Sequence, residues 1–236
     1  MHTRSFLPKG RNDGYAGTLG IIKKKKSICI EMKDDEKKEK SSLRKRADSI
    51  KEFRCKNLIA VLEEPNDYKN IGRTIRNINA LGVEKLYIVD SRNKLPDDWQ
   101  EIRNRKSLSK TSVSAVKWTF VKRFNSTKEC LEHLEKKRFV SIVTSPHIKG
   151  ENNVVLHEGD FTQIRLAIWF GNESKGVSKR VIEKSEMCVN IPMYGIIESL
   201  NLATSTGIVL YEVTKQRRAF QKKFKRGQKK YQRKVK

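Results

Sequence analysis

The chain has 236 residues, enough for one ordinary α/β domain or two small ones. Its formal net charge of +25 is uneven: residues 1–56 hold 17 basic and 8 acidic side chains, residues 215–236 hold 12 basic and none acidic, and the stretch between is nearly balanced. No apolar run approaches the roughly 20 residues needed to cross a bilayer, and the N-terminal MHTRSFLPKGRNDGYAG lacks the apolar core of a signal peptide, so a cytoplasmic chain is expected. Cys29, Cys55, Cys130 and Cys188 are widely separated and form no C-x-x-C, which predicts reduced thiols. The four histidines offer no H-x-x-x-H pair, so no metal is expected.

In chain order, residues 1–56 form a basic extension, with a lysine run at 23–26 and a mixed charged segment at 33–40. Such composition is often disordered or helical only on binding. Gly14, Gly17 and Gly20 follow no strand and open no helix, so they make a weak phosphate loop, whereas 41–54 suits a short basic helix. At Asn57 the pattern changes. Apolar runs of strand length lie at 57–63, 86–90, 139–144, 166–170 and 188–191, separated by helical stretches at 70–81, 127–138, 177–185 and 199–218. Strands alternating with helices predict an α/β fold, a mostly parallel sheet with helices on both faces. In the last helix Leu202, Ser205, Val209 and Val213 share one side, and a basic tail follows at 219–236.

Three stretches carry chemistry. In the first, Asn70 stands as the expected N-cap of a helix whose buried stripe is Ile71, Ile75 and Ile78, with Gly82 as its stop. Arg73 and Arg76, three residues apart, share a face and form a candidate phosphate clamp; two solvated arginines are the plainer reading. The second, Phe170-Gly171-Asn172-Glu173-Ser174-Lys175-Gly176-Val177, leads from a strand through a glycine loop to a helix, where backbone groups can approach a ligand or simply turn. The third, Ile191-Pro192-Met193-Tyr194-Gly195-Ile196-Ile197-Glu198-Ser199-Leu200-Asn201, is apolar for a loop. It is expected to be buried around something flat, with Ser199 capping the long helix.

Taken together, N-x-x-x-x-x-R with A-L-G behind it, F-G-N-E-x-x-G-V-S, and I-P-M-x-G-x-x-x-S-L-N resemble the three motifs of the SpoU/TrmH branch of the SPOUT RNA methyltransferases. The likeness covers about 57–218, and the linker at 114–118 and the Gln216-Arg217-Arg218 exit also resemble that family. It implies a methyltransferase domain at 57–218 with a C-terminal deep trefoil knot, S-adenosylmethionine as cofactor, a homodimer, and methylation of a ribose 2′-hydroxyl in tRNA or rRNA. It implies Asn70, Arg76, Glu173, Ser199 and Asn201 as catalytic residues, and cofactor contacts around Thr144, Gly171, Gly176, Ile191, Met193 and Leu200. Free arginine is protonated at ordinary pH, so Arg76 is either a base with unusual help or an electrostatic stabiliser of the ribose oxygen. Arg73, Arg217, Arg218, Lys222, Lys223, Lys225 and Arg226 are the expected RNA contacts, with Phe220, Phe224 and Tyr231 interleaved for stacking. Asn77 and the Ala203-Thr204-Ser205-Thr206 run depart from the family pattern without removing a key residue. A guanosine in the tRNA D-loop is the expected target; large-subunit rRNA, or a catalytically silent RNA-binding protein of the same fold, are the alternatives.

Overall fold

The computed structural model describes residues 41–95, 101, 104–147 and 152–235, with side chains as far as Lys223. The chain divides into Met1–Ser41 and Ser42–Lys236. All but the last residue of the first unit, including the 23–26 run, lies outside the described residues, as do the side chains of Phe224, Lys225, Arg226 and Tyr231.

The second unit opens with α1 (Ser42–Ile50), the expected short basic helix. There follow β1 (Cys55–Glu63), α2 (Tyr68–Leu81), β2 (Val83–Val89), α3 (Lys106–Ser112), a 3-10 turn (Ala115–Trp118), β3 (Phe120–Phe124), α4 (Thr127–Lys136) and β4 (Val140–Thr144). The chain then forms β5 (Asn153–Val155), β6 (Leu166–Phe170), α5 (Lys179–Glu183), β7 (Met187–Asn190) and α6 (Leu202–Val235). The seven strands make one parallel sheet in the order β3-β2-β1-β6-β4-β7-β5.

Both faces of that sheet are covered, which is why its central strands read as continuous apolar runs rather than alternating ones. Leu58, Ala60 and Leu62 of β1 pack with Ile71, Ile75 and Ile78 of α2 and with Val209 and Val213 of α6. Ile59 and Val61, pointing the other way, pack with Cys130 and Leu134 of α4 and Val181 of α5. From β1 the chain moves outward to β2 and β3, then returns to β4 beyond β6. Loops leaving β1 and those leaving β6, β4 and β7 therefore part company at one place, the switch point where open parallel sheets hold their ligands.

Several boundaries differ from the expectation. Asp67, not Asn70, caps α2: its side chain accepts from the Lys69 N–H, and Asn70 lies inside the helix and is buried. Helix α6 begins at Leu202 rather than Ser199, with the Asn201 side chain accepting from the Ala203 N–H, and its backbone runs on through the basic tail to Val235. The third apolar stretch is not buried: Tyr194 is 93% and Ile196 99% exposed. Only its two ends fold inward.

Candidate active site

A cleft of about 530 Å³ opens at the carboxyl ends of β4, β6 and β7. Its volume lies in the range of small-molecule sites. Phe170, Val189, Leu202 and Val209 give it apolar walls, and Ser145, Ser199 and Ser205 place hydroxyls on its rim. Thr144, Gly171, Gly176, Ile191, Met193 and Leu200, the six residues expected to hold the cofactor, all line it, as do Glu173, Ser199 and Asn201.

The glycine loop is shaped by contact as well as by conformation. Asn172 and Gly176 exchange two backbone hydrogen bonds of 2.9 Å, folding the loop back on itself. Gly176 sits at φ +67°, and a Cβ on Gly171 would fall 2.2 Å from the Gly176 carbonyl carbon. No other residue fits at Gly171 without moving backbone.

Across the mouth of the cleft runs a chain of side-chain hydrogen bonds. Asn201 Nδ2 donates to Asn70 Oδ1 at 3.2 Å, and Asn70 Nδ2 donates to Glu173 Oε1 at 2.8 Å. The Asn66 N–H donates to the second Glu173 oxygen at 3.0 Å. Three motifs separated by up to 131 residues in sequence are thereby joined. Asn172 braces the same corner, its Nδ2 donating to the Glu64 carbonyl at 2.5 Å while its Oδ1 accepts from the Ser174 and Lys175 N–H groups. Beneath lies Glu63, a buried carboxylate that accepts from the Ser178 N–H and hydroxyl and from the Thr127 hydroxyl, at 2.6–2.8 Å. Asn66, Asn172 and Glu63 were not among the expected site residues; the signals were the place of Asn172 inside the F-G-N-E motif and a glutamate closing an apolar strand.

Arg73 and Arg76 lie together on the exposed face of α2, and neither lines the cleft. Of the expected RNA contacts, Lys222 and Lys223 are exposed. Arg217 is not a candidate: it is 5% exposed, and its guanidinium donates to the carbonyls of Phe161, Gln163, Ile164 and Lys56. Burial draws its pKa below the ordinary arginine value, with Cys55 nearby pulling the other way. Arg218 is half-buried and likewise occupied, donating to the carbonyls of Leu81 and Phe53 and to Thr214. Among the described residues no three acidic, histidine or cysteine side chains gather as a metal site, and no helix is long and apolar enough to cross a membrane.

An open parallel sheet with a glycine-shaped cleft at its switch point, bordered by a fixed carboxylate and a basic helix, belongs to the ligand-binding α/β enzymes. Residues 57–211 match the SpoU rRNA Methylase family, and the chain belongs to that family of methyltransferases. The tRNA (guanosine(18)-2′-O)-methyltransferase of Aquifex aeolicus is 28% identical over 173 residues, 73% of this chain and 76% of that one. The 23S rRNA (guanosine-2′-O-)-methyltransferase RlmB of Shewanella oneidensis is 29% identical over 161 residues, 68% and 60% of the two chains. Among solved structures, the A. aeolicus TrmH/SpoU tRNA modifying enzyme aligns with a TM-score of 0.61 at 27% identity, covering 75% of this chain and 85% of that one. The SpoU methyltransferase AviRb from Streptomyces viridochromogenes in complex with AdoMet aligns with a TM-score of 0.57 at 28% identity, over 67% and 57%.

Proposed function

We propose that this chain transfers a methyl group from S-adenosylmethionine to the 2′-hydroxyl of a guanosine ribose in the D-loop of tRNA. The observation that carries the reading is the bonded series Asn201–Asn70–Glu173–Asn66, which draws all three motifs to the mouth of one cleft. The cleft fits the cofactor: its walls are apolar, and the Gly171–Gly176 fold leaves backbone where a side chain would fill the space. When bound, S-adenosylmethionine supplies an electrophilic methyl on a positively charged sulfur. The chain's own work is to hold the ribose hydroxyl in line and to steady the charge that grows on its oxygen as the proton leaves. Arg76 is assigned that electrostatic role, with Arg73 beside it on a phosphate. Glu173 fixes Asn70, and Asn70 with Asn201 and Ser199 shapes the opening through which the ribose enters.

The same reading makes the active species a homodimer, because Arg76 stands outside the cleft of its own protomer. Exposed Tyr194, Ile196 and Ile197 next to the cleft, with Tyr211 on α6, give a second copy an apolar surface to cover. A C-terminal deep trefoil knot and a cytoplasmic location complete the proposal. The approach of the 191–201 loop to those at 144–147 and 171–177 supports the first. A large-subunit rRNA target is the second reading, supported by the match to the rRNA enzyme.

The test offers labelled S-adenosylmethionine with unmodified tRNA and rRNA pools in separate reactions and maps the labelled ribose. Label at a D-loop guanosine is expected. Label in rRNA alone would keep the chemistry and replace the substrate. Cofactor binding without label in either pool would overturn the enzyme reading.

A further inference from the structure

Away from the cleft, one segment has a charge pattern that neither the motifs nor the sheet explains. Residues 102–128 contain eight lysines and arginines and no aspartate or glutamate. Some of these cations have structural work: Arg105 lies 5.0 Å above the Tyr68 ring and 3.6 Å from Glu101, and Arg123 is 3.4 Å from Asp90. Lys106 and Lys110 are exposed, one turn apart on the same side of α3, and Lys117 is exposed in the 3-10 turn that follows.

Large apolar side chains are exposed among them. Trp118 is 45% and Phe120 54% exposed, Val113 stands out at the end of α3, and Lys85 Nζ lies 6.0 Å from the centre of the Phe120 ring. β3 is an outer strand of the sheet. Lysines alone on such an edge would serve to discourage pairing with other chains, but exposed tryptophan and phenylalanine work against that purpose. The backbone presenting them is strained. Val113 and Ser114 are successive non-glycine residues with left-handed φ of 52° and 61°, costly above all for a β-branched side chain. The turn is held by the Val113 N–H on the Lys110 carbonyl, the Ser114 N–H on the Ser109 carbonyl and the Lys117 N–H on the Ser114 carbonyl.

This surface is fixed to the helix that carries the arginine pair. α3 and the 3-10 turn pack on α2. The approach is so close that a Cβ on Gly72 would fall 1.9 Å from Thr111 Oγ1. Gly72 immediately precedes Arg73.

We propose that residues 106–120 form a second RNA-holding surface, with Lys106, Lys110 and Lys117 on backbone phosphates and Trp118 and Phe120 stacked on unpaired bases of the RNA being methylated. Cations interleaved with exposed aromatic rings are the composition that single-stranded nucleic acid recognises. A second copy of this chain fits worse, since it would set two all-basic segments against each other. The inference rests on the RNA methyltransferase reading and adds where the substrate is gripped beyond the cleft.

The test uses the full chain and bulk unmodified tRNA, with RNA affinity measured across a salt series. Lys106→Gln/Lys110→Gln/Lys117→Gln is expected to lower the slope of log affinity against log salt by about 2–3, a little under one for each lost phosphate contact. Single Lys106→Gln and Lys110→Gln variants should each show their share, should the triple variant fold poorly. In a Trp99→Phe chain, Trp118→Phe is expected to remove most of the RNA-dependent quenching of tryptophan fluorescence, because the one tryptophan that remains, Trp169, is buried. Trp118→Ala should weaken binding by about tenfold, the scale of one lost base stack. An unchanged salt slope, or quenching that persists in Trp99→Phe/Trp118→Phe, would overturn the proposal. Methyl transfer by the wild-type chain is measured in parallel. Its absence from every RNA pool would take down the parent reading instead, and its presence with an unchanged slope would take down this surface alone.

Discussion

Asn70 and Arg76 sit on the same helix but meet different fates. Asn70 is buried and bonded at both ends of its amide, whereas Arg76 is exposed. Arg76→Ala therefore leaves the fold and the cleft intact. It is expected to cut methyl transfer by about 10²–10³, the scale of losing one oxyanion-stabilising group, while cofactor affinity measured by titration stays within twofold. Retained turnover would remove Arg76 from the chemistry. Residue types were legible in the sequence wherever a motif carried them, and bonding partners were not. Asn70 has the look of a helix cap, but Asp67 was equally able to cap, and only the folded chain shows that Asn70 is occupied by Glu173 and Asn201. Arg217 misled for the opposite reason. Basic residues near a basic tail read as solvent-facing, and nothing local reveals that carbonyls 53–161 residues away will surround one of them.

Among the elements, the glycine loop between β6 and α5 has the least freedom. Gly171→Ala must push its new methyl into the backbone at Gly176 and is expected to cost about 1–3 kcal/mol by overpacking. Because the strain falls on the wall of the cleft, cofactor affinity should drop further than thermal stability does. Calorimetry and cofactor titration on the same preparation would separate the two, and equal losses would argue that the loop is only a turn. The five strands with continuous apolar runs and the amphipathic stripe of α2 were legible because burial on both sheet faces, or on one helix face, writes itself into composition. Three elements were not. β3, with two cations in five residues, alternates too little to read as a strand, β5 is three residues long, and α3 is built of serine, threonine and lysine with one leucine. Each lies at an edge of the sheet or on top of another helix, where little burial is required.

On the scale of the whole molecule, charge and pH act on different properties. Removing residues 219–236 is expected to leave the melting temperature nearly unchanged, because Arg217 is the last buried side chain among the described residues. RNA affinity and its salt slope should both fall; an unchanged slope would make the tail a passive appendage. Stability against pH should follow His133, which packs among Tyr87 and Phe124 with Nε2 3.4 Å from the Tyr87 hydroxyl. Burial first, then Lys122 and Lys137, lower its pKa below the ordinary 6.5. The unfolded chain thus binds its proton more readily than the folded one. Stability is full above about pH 6.5 and is lost as pH falls from there toward the folded value. Denaturant midpoints at pH 7.5 and 5.5 should differ less in His133→Phe than in the wild type.

The guanidinium of Arg217 also sets an order of events during synthesis. It reaches back 161 residues to the Lys56 carbonyl at the entrance to β1, and to three carbonyls just before β6. A growing chain can assemble its strands as they emerge, but those four oxygens lack this donor until residue 217 has been made. A product that stops short of this position keeps orphaned carbonyls and a marginal core.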